Sequence, residues 1–343
     1  MKVLVTGNKG YIGTVLAEIL RERGYDVVGY DTGYYADNNL APVNDPPRQI
    51  TKDTRDAEEA DFAGIDAIIH LAALSNDPLG ELTPGITEEI NLDGTLKLAE
   101  CAKRAGVKRF VYASSQSMYG VADTSHELDE EEAGPYGVTA YARTKWDAEV
   151  ALKKMHSDDF MVVCFRPSTV FGASPRIRCD IVFNNLVASA YTTGKVEVKS
   201  DGTPWRPVVH VRDVSQAFIA GLGAPKELVA GRSFNVGVPN GNYTVRDLAE
   251  AAQRSVPGSV LSFTGEHGKD SRTYRISFKR ILSELKDYYK PEWDLDRGGK
   301  ELVEFFKKAN LTEERFRGRE CNRLKQIQYL KEKNEIDERL RWV

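Results

Sequence analysis

The 343-residue sequence is poor in the features that mark several protein classes. It has only four cysteines, Cys101, Cys164, Cys179 and Cys321, scattered without paired spacing. That excludes a disulfide framework or a zinc ribbon and implies free thiols in a reducing compartment. The five histidines, His70, His126, His156, His210 and His267, show no ligand spacing, so no metal is expected. No apolar run approaches membrane-spanning length, and Met1 leads straight into Lys2-Val-Leu-Val-Thr6, leaving no room for a signal peptide. A cytoplasmic protein with no membrane partner is expected. Charge of neither sign is in excess: the formal net charge is −4, with acids and bases interspersed. A nucleic-acid surface is therefore not expected.

What is present is a chain with 41% hydrophobic residues, enough for two lobes. Short β-branched runs at Lys2 to Thr6, Asp26 to Tyr30, Ala67 to Ala72, Arg109 to Ala113 and Met161 to Arg166 read as strands. Helical periodicity lies between them at Tyr11 to Arg23, Glu88 to Ala105 and Ala140 to Met155. This alternation predicts an α/β, Rossmann-type doubly wound parallel sheet. After Phe171 the texture becomes irregular, with helices expected near Ile181 to Tyr191, Val245 to Ser255 and Glu301 to Lys308. Ser233-Phe-Asn-Val236 reads as a strand that rejoins the sheet, so a smaller C-terminal substrate lobe interleaves with the first. The expected division is residues 1–170 plus about 207–240 for the cofactor domain, and 171–206 plus about 241–343 for the substrate lobe. From Gly318 onward, Leu324, Ile327 and Leu330 predict a surface helix with one buried stripe.

Gly7-Asn-Lys-Gly10-Tyr11-Ile12-Gly13 follows a strand and opens a helix. Glycines there let the backbone turn tightly and approach a pyrophosphate, whose charge meets free N–H groups at the helix N-terminus. Asp31 ends the second strand, 18 residues beyond Gly13, where a carboxylate can accept hydrogen bonds from an adenosine ribose. It would repel a 2′-phosphate, and the following Thr32-Gly33 supplies no arginine to offset it, which favours NAD over NADP. Asp53-Thr54, after a weaker third strand, can contact the adenine, or Asp53 can simply cap a loop.

Tyr141 and Lys145 lie four residues apart, on one face of a helix. A nearby ammonium stabilises a phenolate and makes tyrosine a base usable near neutral pH. Ser114-Ser115-Gln116-Ser117 follows the fifth strand, at the carboxyl edge where doubly wound sheets bind ligands. Those serines can hold a substrate hydroxyl against the tyrosine or only cap a turn.

Taken with Val3-Leu-Val-Thr-Gly7, His70-Leu-Ala-Ala73 and Arg166-Pro167, these motifs resemble the extended short-chain dehydrogenase/reductases of the NAD-dependent sugar epimerase/dehydratase family, of the UDP-glucose 4-epimerase-like kind, over nearly the whole chain. The resemblance implies a catalytic Ser115, Tyr141 and Lys145, with Ser117 assisting. It implies that Leu71, Ala72, Ala73, Asn91, Lys145 and Pro167 lie with the cofactor, and that the protein is a homodimer built on helices including that of Tyr141.

On the substrate side, Asn184-Asn185-Leu186-Val187 resembles the family segment that holds a sugar-nucleotide diphosphate, and Gly202-Thr-Pro-Trp-Arg206 the loop that brings an arginine to it. Arg272 resembles a second such arginine. Paired guanidinium groups suit a diphosphate, although either arginine can instead form a surface ion pair. Trp205 can stack on a base or pack between lobes. The resemblance also assigns Ser75, Gln116 and Thr169 to the substrate, Thr169 standing where the family often has asparagine.

The family's 4,6-dehydratases carry an Asp-Glu pair immediately after the position of Ser115, whereas this chain has Gln116-Ser117. Neither can donate a proton as a carboxylic acid would, which disfavours elimination. Its fucose-synthase-like reductive epimerases place a cysteine there and use NADP. Epimerisation of a nucleotide sugar through a 4-keto intermediate, using NAD, is the reading that remains. Two alternatives stay open: a net nucleotide-sugar 4-dehydrogenase, and a non-enzymatic NAD-sensing protein on the same fold.

Overall fold

The structure is a computed structural model that describes residues 1–75, 81, 83–266 and 273–343. Its first half runs β1 (Lys2–Thr6), α1 (Tyr11–Glu22), β2 (Asp26–Asp31), β3 (Arg48–Thr51), β4 (Ala67–His70), α2 (Gly94–Arg104), β5 (Arg109–Ala113), α3 (Ala140–Met155) and β6 (Met161–Pro167). With β10 (Ser233–Val236), these strands form a seven-stranded parallel sheet in the order β10-β6-β5-β4-β1-β2-β3. Apart from the edge strand β3, the strands are largely buried, as in a sheet covered by helices on both faces. Val3 and Val5, Ile69, Val111 and Val163 enter one core, while Leu4, Ile68, Phe110 and Val162 enter the other. That is the period-two alternation of a sheet buried on both sides.

Strand order reverses at β1, which lies between β4 and β2, and so opens a crevice at the carboxyl edge. Gly7, at φ +68°, crosses it: a Cβ there would stand 2.9 Å from the Ala72 nitrogen. A side chain would force the two loops apart.

The rest of the chain contains β7 (Thr169–Phe171), α4 (Val182–Thr193), β8 (Lys195–Val198), β9 (Trp205–His210), β11 (Asn242–Thr244), α6 (Val245–Ser255), β12 (Val260–Phe263), α7 (Leu295–Lys308) and α8 (Arg323–Glu332). β7, β9 and β11 make a three-stranded sheet, and β8 pairs with β12. Between β9 and β10 the chain returns to the seven-stranded sheet through α5 (Val211–Gly223).

Three elements differ from their sequence pattern for identifiable reasons. The β4 ladder stops at His70 because the Leu71 and Ala72 N–H groups turn to the Thr6 hydroxyl, each at 3.1 Å. The periodic stretch from Glu88 is interrupted by a π-turn over Glu89–Asp93, where Asn91 reaches out to the loop at Leu74, between an α-helical turn at Pro84–Glu88 and the helix that starts at Gly94. Finally, α7 begins six residues before Glu301, capped by Asp294. Gly298 and Gly299 weaken the helical signal there because they accommodate Phe171 and Ser255.

Candidate active site

A cavity of about 560 Å³ runs from the glycine loop, along the carboxyl ends of β1, β4 and β5, to α4 and β9. Gly7, Gly10, Tyr11, Ile12, Gly13, Asp31, Asp53, Thr54, Leu71, Ala72, Ala73 and Pro167 line its cofactor side. Gly10 caps α1 in an extended conformation and offers no side chain to the approach. A Cβ on Gly13 would collide with the Gly7 carbonyl, so the turn closes only as glycine. Asp31 accepts hydrogen bonds from the Gly33 and Lys9 N–H groups at 2.7 and 3.0 Å. Burial lifts its carboxyl above the ordinary carboxylate range, while those two N–H groups and Arg323 pull it back. Thr32-Gly33 supplies no arginine, but the charge of Arg323, distant in sequence, acts on Asp31. Asp53 lines the cavity but spends its oxygens on the Arg55 backbone and guanidinium, as a turn cap does.

Ser115, Tyr141 and Lys145 line the same cavity. Thr139 caps α3 by accepting from the Ala142 N–H, which presents Tyr141 and Lys145 one turn apart on the cavity side. The Lys145 ammonium donates to the Ala113 carbonyl at 2.8 Å and lies 4.8 Å over the Tyr112 ring. Burial lowers its pKa to about 7. His70, buried between the Thr6 and Thr95 hydroxyls, is pushed down to about 3 by burial, with Lys145 adding to the shift. Ser115 does both things read from its sequence context: it caps the turn Gln116–Tyr119 through the Ser117 N–H, and it faces the cavity beside the Ser117 hydroxyl at 2.9 Å. Its neighbour Ser114 is engaged instead with Glu149 at 2.5 Å. Glu149 in turn forms a fully buried ion pair with Arg166.

Ser75, Ser117, Thr169, Asn185, Leu186 and Arg206 line the substrate side. Three expected ligand residues stand behind the wall. Asn91 is buried, exchanging hydrogen bonds with Leu74 and reaching Thr144 on α3. Gln116 is buried with its amide on the Arg166 and Val236 carbonyls. Asn184 bonds Gly172, Tyr11 and Arg178. Their amides bond mainly to backbone groups, and none of the three lines the cavity. Arg272 lies outside the described residues. Trp205 packs against the Arg275 guanidinium at 4.9 Å. The sequence reading missed Arg178, Asp180, Tyr274, Tyr35 and Arg323, all on the cavity wall. For Arg178 and Asp180 the run Arg176-Ile-Arg178-Cys-Asp180 was the available signal: charge at alternate positions in the loop between β7 and α4.

A glycine turn built for close backbone approach, a ribose-height carboxylate and a Ser, Tyr and Lys set opposite them fit a nicotinamide dinucleotide. The class is an NAD-dependent enzyme on a Rossmann-type fold. The chain belongs to the NAD dependent epimerase/dehydratase family, whose profile matches residues 3–237. It is 30% identical over 326 residues to a UDP-glucose 4-epimerase of Mycolicibacterium smegmatis, covering 90% of this chain and 99% of that one. It is 29% identical over 327 residues to the UDP-glucose 4-epimerase of Bacillus subtilis, covering 83% and 94%. Among solved structures it resembles MoeE5 in complex with UDP-glucose and NAD, with a TM-score of 0.75 and 26% identity over 91% of this chain and 100% of that one. Among the described residues, no helix is long and apolar enough to cross a membrane.

Proposed function

We propose that the protein interconverts C4 epimers of a nucleotide-diphosphate sugar through a transient 4-keto sugar, as a cytoplasmic homodimer built on helices that include α3. The observation that carries this reading is the sharing of one cavity by Ser115, Tyr141, Lys145, the glycine loop and Arg206. Bound NAD supplies a reversible hydride acceptor. Tyr141 takes the proton from the C4 hydroxyl, and the Lys145 cation steadies the phenolate that makes this possible. Ser115 holds the hydroxyl in line, with Ser117 at its side. The keto sugar turns within the cavity, and Tyr141 returns the proton when the hydroxyl is restored with inverted configuration. Gln116 supports epimerisation over elimination, because an amide facing two carbonyls offers no acid to expel water. Arg206 takes one side of the diphosphate. The named relatives, UDP-glucose 4-epimerases, support a uridine nucleotide sugar as the first substrate to try.

The test is incubation of the purified protein with a panel of nucleotide sugars, following products by NMR and NADH by absorbance. A C4 epimer without accumulating NADH is expected. NADH accumulating with a keto product and no epimer overturns the reading in favour of a net dehydrogenase.

A further inference from the structure

Residues 318–343 close over the cofactor side of the cavity. Ile327, Leu330, Ile336 and Leu340 form one buried cluster with Tyr34, Leu74 and Ile90, three residues of the cavity wall. Polar contacts fasten the same segment. Gln326 donates to the Tyr34 carbonyl at 2.9 Å, the Trp342 indole to the Thr32 carbonyl at 2.7 Å, and Arg55 to the Arg339 carbonyl at 2.9 Å. Arg341 lies against Asp53 and Asp56. The segment is therefore tied to the β2 and β3 ends, where the adenosine half of a dinucleotide lies in this fold.

Arg323 opens α8 and points inward. Its side chain is 5% exposed and lines the cavity. The guanidinium stacks on Tyr35 at 3.9 Å, and one of its terminal nitrogens stands 3.7 Å from where a Cβ on Gly10 would be. Its Nε is buried with no hydrogen-bond partner among the described residues. The acids in its field are already engaged: Asp31 with two backbone N–H groups, Asp180 with the Arg178 fork at 2.9 and 3.1 Å. A buried guanidinium with an unmet donor is costly to the folded chain unless an acceptor meets the donor, and an anion meets its charge as well.

We propose that Arg323 binds the diphosphate of the bound dinucleotide, making the C-terminal segment a clasp on the cofactor. Its position at the glycine turn suits that anion, because the turn brings backbone close to a pyrophosphate and a planar guanidinium can pair with two of its oxygens. The stack on Tyr35 fixes the plane of the fork before the ligand arrives. This inference needs only that NAD binds, so it stands apart from which reaction follows.

The test is calorimetric titration of the full-length protein and of Arg323→Gln and Arg323→Lys with NAD, ADP, adenosine and NADP. Arg323→Gln should weaken NAD and ADP by about tenfold or more, the scale of a charge-assisted pair, and leave adenosine unchanged. Arg323→Lys should lose less, because it keeps the charge without the fork. The wild-type affinity for ADP should also fall more steeply with added salt than that of Arg323→Gln. Unchanged NAD and ADP affinity in Arg323→Gln overturns the proposal. So does an equal loss for adenosine, which marks a structural role, and so does a loss confined to NADP, which moves the residue to the 2′-phosphate. If Arg323→Gln fails to fold, Arg323→Lys decides: ADP and adenosine weakened alike, or neither weakened, overturns it.

Discussion

The Lys145 ammonium donates to the carbonyl of Ala113, the last residue of β5, at 2.8 Å, and so ties α3 to the sheet edge that Ser115 follows. The bond fixes the height of Lys145 in the cavity, and with it the turn of helix that carries Tyr141. Burial at this point also brings the lysine pKa down from 10.5 to about 7.

A pH dependence of stability follows. The unfolded chain keeps the Lys145 proton up to about 10.5, whereas the cofactor-free folded chain releases it near 7. The folded state therefore binds fewer protons in that window, and the stability linked to this group is present above it and lost as pH falls toward 7. The melting temperature of wild type relative to Lys145→Met should rise between pH 7 and 9.5, within that window. Parallel melting curves for the two proteins across this range contradict the assignment.

The Glu149–Arg166 pair lies behind the site with both side chains almost fully buried. Glu149 also accepts from Ser114 and Ser233, and Arg166 donates to Tyr119. Breaking such a pair from one side leaves a buried charge uncompensated. Glu149→Ala should destabilise the protein by about 3 to 5 kcal/mol in urea unfolding. A loss below about 1 kcal/mol would be the value of an exposed pair and would contradict burial as the governing fact.

Asp31 should set the cofactor preference. Its carboxylate is held by Lys9 and Gly33 at ribose height, so NAD should bind more tightly than NADP. Asp31→Ala should narrow that gap by about 1 to 3 kcal/mol in calorimetry, the cost of leaving a buried partner unmatched. With Arg323 close by, removal of the acid leaves a net cation at this end of the cavity, which should improve NADP in absolute terms. A gap that stays the same size contradicts the role.

The seven-stranded sheet was legible because its signals are local. The strand runs bury both faces, so their apolar pattern is continuous, and the glycine turn, Asp31, Ser115, Tyr141 and Lys145 each sit at a fixed offset from one of those runs. What sequence did not reveal is long-range. Arg323 lies 313 residues from the Gly10 it approaches, and nothing near it marks it as other than a surface cation. The stripe of Ile327 and Leu330 announced burial without saying against what, and the answer is Tyr34, Leu74 and Ile90. Asn91, Gln116 and Asn184 occupy motif positions yet turn their amides to backbone carbonyls and N–H groups, an orientation set by neighbours distant in sequence.

The central claim is that Tyr141 is the group that moves the substrate proton. Tyr141→Phe keeps the ring and removes only the hydroxyl, so folding and NAD affinity should survive. With a nucleotide sugar that the wild type turns over, the rate of epimer formation by NMR should fall by at least about 10²-fold, the usual worth of a general base. Transient NADH should vanish with it. A Tyr141→Phe protein that binds NAD normally and keeps more than about a tenth of wild-type turnover, far above what loss of a general base permits, would contradict the account.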